Sequence, residues 1–338
     1  MKKTDQIEGL RAIACLMIVA GHCGFLHLEG HGGVPVTFFF ALSGFLTAGP
    51  WREGYEKAFF SFKYIGSFYA RRALRLLPAY YVILLTDAAL SGSFSFEHLR
   101  GDLFFTVSTG HYWFLQQYLL LTVLAPAIML IILFLKKVCG FGDIPAAVFL
   151  MTAAILIHAF VTRDVFYLMG NGMKQTFRLP EYMTGMAFAY LYKSLPKKVI
   201  KDGKLRWCVD GLSVLILAAG FLSSPFCLGL VRPEWADIHV GWTNTMECAV
   251  ISCMLVLAIL VNPDGIVSRF LRVPPLTFLG RISYQIYLIH FVLLMHFSLP
   301  NSLLNFTVNL SVSIVLSLVI NFAVERPLSS LCSALRRT

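Results

Sequence analysis

Long apolar runs separated by short charged segments set the plan of this chain. The runs lie near 7–27, 33–50, 73–90, 112–135, 144–162, 180–192, 208–224, 243–262, 276–297 and 302–324. Most are long enough for a helix to cross a hydrocarbon core of about 30 Å, which takes roughly 17–25 residues. The predicted architecture is therefore an all-α polytopic membrane protein with about ten transmembrane helices, which places both termini on one side. The run at 180–192 is the shortest and is expected to begin in a re-entrant approach. Residues 51–70 interleave aromatic and charged positions and predict an interfacial helix on the cytoplasmic face. No internal repeat or low-complexity linker appears, so one domain is expected over 1–338, with no soluble domain appended after the last run.

Composition supports this class. Of 338 residues, 57% are hydrophobic and 14% charged, and the mean hydropathy is +0.73. A net charge of +10 would suit a nucleic-acid binder if it were clustered, but the basic residues are spread between apolar runs. With the N-terminus inside, the inner segments hold 22 of the 28 lysines and arginines and the outer segments five. That is the bias of cytoplasmic loops, and it places both termini in the cytoplasm. The MKK start resembles a signal peptide, but the run after it contains Arg11 and His22 and no A-x-A site follows, so it is read as a retained helix. The eight cysteines show no CxxC pair, and neither a metal site nor a disulfide framework is expected.

Charges inside apolar runs are the candidate chemistry. In IEGLRAIACLMIVAGHCGF, residues 7–25, Arg11 and His22 are eleven positions apart. On a helix that is one face, with a separation of about 16 Å along the axis. Ionisable groups in a span usually face a protein interior or a watery cavity. The bland alternative has Arg11 snorkelling to headgroups and His22 satisfied in the core. Glu8 is placed to pair with Arg11 at i,i+3. In VTFFFALSGFL, Ser43 and Gly44 are either a close-packing contact or part of a site. Arg72 and Arg75 in RRALRLLP share a face at the inner surface, as phosphate-gripping guanidiniums or as plain inside anchors. In HYWFLQQYLLL, Trp113 and Tyr118 read as interfacial belt residues. Ser283, Tyr287 and His290 fall on roughly one face of the ninth run, with His290 at the depth of His22. Glu325-Arg326-Pro327 reads as a helix terminator with an ion pair. Trp235, Asp237, His239 and Trp242, in the outer segment 223–242, suit a sugar or an aromatic belt.

Taken together, GLRAIA with its Arg–ten residues–His spacing, VTFFFALSGFL, FYARRALRLLP, HYWFL, ISYQIYLIH and the closing ERP resemble the membrane-bound acyltransferase-3 family, bacterial inner-membrane enzymes that O-acylate surface glycans. The motifs run in order from residue 8 to 327. The resemblance implies an acyltransferase of the multi-pass inner membrane. It would carry an acetyl or other short acyl group from cytoplasmic acetyl-CoA to a hydroxyl of an extracytoplasmic glycan or glycolipid, with neither a metal nor nucleic acid involved. It implies His22 as the catalytic histidine, Arg11 as its partner on the donor path, and Arg72 and Arg75 as the basic pair holding the donor. His290, Tyr287, Ser43, Trp113 and Glu325 are possible supporting residues. Glu8 stands where relatives often have Asp. Gln117 stands where many carry an acid, so it receives no role. The hydrolase-like extracytoplasmic domain of some members is not expected here. The competing class is a polytopic carrier of anionic or lipid-linked solutes, which buried charges and basic inner loops also fit.

Overall fold

The computed structural model describes residues 5–28, 31–49, 55–106, 110–160, 177–195, 203–235 and 244–328. Among the described residues every regular element is helical. In chain order the helices are α1 (Asp5–His22), α2 (Gly33–Thr47), α3 (Phe62–Leu90), α4 (Phe96–Leu103), α5 (Trp113–Val138), α6 (Asp143–Phe160), α7 (Leu179–Ser194), α8 (Gly203–Leu222), α9 (Pro225–Val231), α10 (Thr245–Val261), α11 (Ile266–Leu271), α12 (Pro274–Arg281), α13 (Ser283–Phe297) and α14 (Ser302–Ile320). A π-helical turn, Asn321–Glu325, continues α14.

Each of the ten predicted runs contains a helix, but the helices are not alike. α3, α5, α6, α8 and the stretch Ser302–Leu328 are long and apolar enough to cross a membrane by themselves. α12 and α13 form a sixth such unit, bent by 70°. α2 and α10 are apolar but shorter. α7 has 16 residues, and α1 carries Asp5, Glu8 and Arg11. The difference follows from position. Every residue of α7 from Pro180 to Tyr190 is buried, whereas on α8 only Asp210 and Ser213 are. A peripheral helix must present apolar side chains along its length, while an enclosed helix meets protein and can be short or polar.

The helix expected over 51–70 is divided. Residues 50–54 lie outside the described residues, Tyr55–Phe60 form a 3-10 turn, and from Phe62 the chain is already in α3, whose first turn is capped by the Ser61 hydroxyl accepting from Tyr64 N. The re-entrant approach expected before residue 180 also lies outside the described residues.

Two close crossings lock the inner helices. A Cβ at Gly44 of α2 would overlap the Tyr182 carbonyl of α7, and one at Gly185 of α7 would overlap the Ala41 carbonyl of α2. Small residues that bring backbones together in this way supply the packing that lipid cannot drive by hydrophobicity. The same device seats α1: Gly9 abuts the Leu271 carbonyl and Gly280 the Glu8 carbonyl.

Candidate active site: a cationic cavity beneath a histidine pair

The break between α12 and α13 positions the first polar group. Ser283 opens α13, and its hydroxyl donates to the Gly280 carbonyl at 2.9 Å. The same oxygen accepts from Arg11 Nη2 at 3.1 Å, while Arg11 Nη1 donates to Glu8 Oε2 at 2.9 Å. The guanidinium is thus held at both ends of its fork, with its side chain only 12% exposed. The i,i+3 pair expected from the sequence is present, and the partner across the bundle is Ser283.

Arg11 lines a cavity of about 520 Å³ enclosed by α1, α2, α3, α5 and α13. Four arginines, Arg11, Arg71, Arg72 and Arg75, and one glutamate, Glu325, reach it. Arg72 donates to Thr47 Oγ1 at 2.9 Å and lies over the Phe68 ring at 3.7 Å. Arg71 hydrogen-bonds the Ser67 hydroxyl one turn back. Arg75 is exposed to the cavity, close enough to both Arg11 and Glu325 to feel their charges. Glu325 is fixed by Gln285 Nε2 at 2.5 Å and Asn321 Nδ2 at 3.2 Å, and it projects from the π-helical turn, a distortion common at functional sites. Glu325 therefore does more than end a helix. Four guanidiniums against one carboxylate leave the cavity net positive, and planar guanidiniums match phosphate geometry.

Adjacent residues of the LSGFL motif have different tasks. Gly44 is the close-packing contact with α7, while Ser43 lines the cavity and hydrogen-bonds Tyr118, which also bonds Arg72. Tyr118 does not join an outer aromatic belt; it is turned inward among the arginines. Trp113, in contrast, does not line the cavity. Its ring stacks on Phe40 with centroids 6.2 Å apart, and the Arg178 guanidinium lies over it at 5.8 Å.

Beyond the cavity is a histidine pair. His22, at the end of α1, has Nδ1 2.8 Å from His290 Nε2, and His290 Nδ1 is 3.1 Å from the Ile286 carbonyl. A carbonyl can only accept, so His290 Nδ1 donates. His290 Nε2 then holds the lone pair and accepts from His22 Nδ1–H, which leaves the lone pair of His22 on Nε2. His290 is fully buried, and the His22 side chain is exposed. An orienting partner on one nitrogen with a free lone pair on the other is the arrangement of a general base. Tyr287 links the two parts. It lines the cavity, and its ring lies 5.7 Å from that of His290.

Six of the expected residues, Arg11, Ser43, Arg72, Arg75, Tyr287 and Glu325, thus share one cavity, and His22 and His290 share a hydrogen bond just past its end. Gln117 does not line it. Asp237, His239 and Trp242 lie outside the described residues, and Trp235 is exposed. Two residues at the site, Tyr118 and His111, and one beside it, Arg178, were not expected there. Tyr118 looked like a belt residue. His111 is buried, packs on Phe291 at 4.3 Å and accepts the Tyr287 hydroxyl at its carbonyl, 3.1 Å. Arg178, placed by the sequence in an outer segment, is fully buried in an ion pair with Glu181 at 3.5 Å. The i,i+3 spacing in RLPE was the available sign.

Comparison with known proteins gives the family. The family model described as "Acyltransferase domain", of the acyltransferase-3 type, matches residues 4–326. Peptidoglycan O-acetyltransferase OatA of Listeria monocytogenes is 26% identical over 333 residues, which covers 86% of this chain and 49% of that protein. A Staphylococcus aureus (strain COL) protein named "Putative O-acetyltransferase" is 25% identical over 332 residues, 87% of this chain and 51% of that one. The chain spans about half the length of these curated relatives. No solved structure matches it significantly.

Proposed function

Since this chain belongs to the membrane acyltransferase-3 family, we propose that it transfers an acetyl group from cytoplasmic acetyl-CoA to a hydroxyl of an extracytoplasmic glycan, peptidoglycan being the class named for a relative. The observation that supports this reading is the arrangement of one arginine-lined cavity below one exposed imidazole with an oriented lone pair. The chain crosses the bacterial inner membrane ten times in this reading, with both termini and the arginine end of the cavity in the cytoplasm.

The donor's phosphates bind at Arg71, Arg72 and Arg75 through charge-assisted hydrogen bonds. The pantetheine arm runs past Arg11 towards His22, over the roughly 16 Å that separates these residues along α1. The acceptor hydroxyl approaches His22 from the opposite side. His22 Nε2 takes the hydroxyl proton as the oxygen attacks the thioester carbon; the C–O bond forms, the C–S bond breaks, and the departing thiolate takes the proton from the imidazolium. His290, hydrogen-bonded to Nδ1, stabilises the imidazolium and holds the ring.

The test uses the purified protein in nanodiscs with acetyl-labelled acetyl-CoA, together with the mass of wall glycans from cells with and without the protein. Label transfer, and a glycan mass higher by one acetyl unit only when the protein is present, are expected. Wild-type protein that moves no label, or a His22→Ala variant that matches wild type, overturns the reading. Solute counterflow independent of CoA would replace it with a carrier.

A further inference from the structure

The cavity wall is built in two layers of helical register. Ser43, Tyr118 and Ser283 form a polar layer level with Arg11. Four positions further towards the histidine end on each of the same helices stand Phe39 on α2, Phe114 on α5 and Tyr287 on α13. Four positions make about one turn, or roughly 5.4 Å to 6 Å of rise, so the three rings form one aromatic collar above the polar layer. Phe39 and Phe114 have centroids 6.4 Å apart, and Phe114 and Tyr287 5.0 Å. The Tyr287 hydroxyl is committed to the His111 carbonyl at 3.1 Å, so Tyr287 offers the cavity its ring and no hydrogen-bond donor. The cavity ends at this collar, and the His290 ring is 5.7 Å beyond Tyr287.

We propose that Phe39, Phe114 and Tyr287 are the specificity-determining residues for the acyl group, and that they restrict transfer to short, uncharged acyl chains. This inference rests on the transfer reading above. An acyl group carried up from the arginine end has to lie within the collar to bring its carbonyl to His22. Rings in contact with one another present a continuous apolar wall, against which a longer acyl chain would have to displace a ring. Each additional methylene in a tight apolar site changes discrimination by about 10–200-fold. A succinyl carboxylate would be held among rings that offer it no donor, and an unpaired charge is strongly disfavoured there.

The experiment measures kcat/KM of the full chain in nanodiscs for acetyl-, propionyl-, butyryl- and succinyl-CoA. Wild type is expected to favour acetyl over butyryl by at least about tenfold and to leave succinyl untransferred. Phe114→Ala and Phe39→Ala are expected to raise the butyryl-to-acetyl ratio at least about tenfold. Phe114→Leu and Phe39→Leu, milder changes, shift it in the same direction and decide the matter if the alanine variants do not fold. Phe291→Leu, which touches the histidines but not the cavity, leaves the ratio unchanged. Acetyl transfer with the same acyl profile in folded wild-type and collar variants overturns the collar and leaves the transfer reading standing. Folded collar variants inactive towards every acyl group also overturn it as a size filter. Absence of any acyl transfer by wild type overturns the transfer reading itself.

Discussion

His22 and His290, 268 residues apart in the chain, share one hydrogen bond of 2.8 Å with their ring planes 7° apart. The Ile286 carbonyl behind His290 fixes which nitrogen of each ring carries a proton. The consequence is directional: the only lone pair left on the pair belongs to His22 Nε2.

Loss of either histidine should then have different effects. His22→Ala is expected to reduce acetyl transfer to background. His290→Ala leaves the base in place but unoriented, and is expected to lower kcat by about 10²-fold or more while leaving the KM for acetyl-CoA near wild type. Steady-state kinetics in nanodiscs separates the two, because a donor-binding role for His290 would move KM instead.

Arg11 is held by Glu8 and Ser283 at once, which only a planar fork achieves. Arg11→Lys keeps the charge and loses one of the two bonds, since an ammonium cannot reproduce that geometry. Transfer is expected to fall about tenfold, equivalent to ~1.4 kcal/mol, with little change in thermal stability. Initial rates and melting curves in the same detergent check both parts.

At the inner end, Arg72→Ala and Arg75→Ala are each expected to weaken CoA binding about tenfold, ~1.4 kcal/mol. Raising salt should weaken wild-type binding more than that of the double variant, because screening acts on the charges the variant lacks. Calorimetric titration of CoA at two ionic strengths measures this. Unchanged affinity in the double variant would remove the arginines from the donor site.

The α2–α7 crossing depends on bare backbone at Gly44 and Gly185. Gly185→Ala forces the helices apart and is expected to destabilise the protein by about 1–3 kcal/mol, seen as a lower melting temperature. Gly44→Ala does the same and also moves Ser43, so transfer should fall further than stability alone explains.

Much of this site is legible in the sequence. The charges of α1, the arginines of α3 and the polar face of α13 interrupt apolar runs, and such interruptions mark an interior or a cavity. The rest was hidden for identifiable reasons. Hydropathy reports length and apolarity, so it marks 180–192 as the shortest run but cannot show that α7 is enclosed by protein, buried from Pro180 to Tyr190, nor that only some of the ten runs are long enough to span alone. Tyr118 follows Trp113 in an aromatic-rich segment, and composition cannot tell an inward ring from a belt ring. The 70° bend before Ser283 leaves no proline or glycine at the bend residue itself, Ile282. Nothing in the sequence singles out Phe39 and Phe114, because core and collar use the same residue types.

The seating of α1 bears on what kind of machine this is. Backbone meets backbone where Gly9 touches Leu271 and where Gly280 touches Glu8, so the start of the helix that bears both Arg11 and His22 is packed directly on its neighbours. A carrier moves its walls around a stationary cargo. In the transfer reading proposed above, the clamped scaffold stays put and travel falls to the slender substituent that threads it.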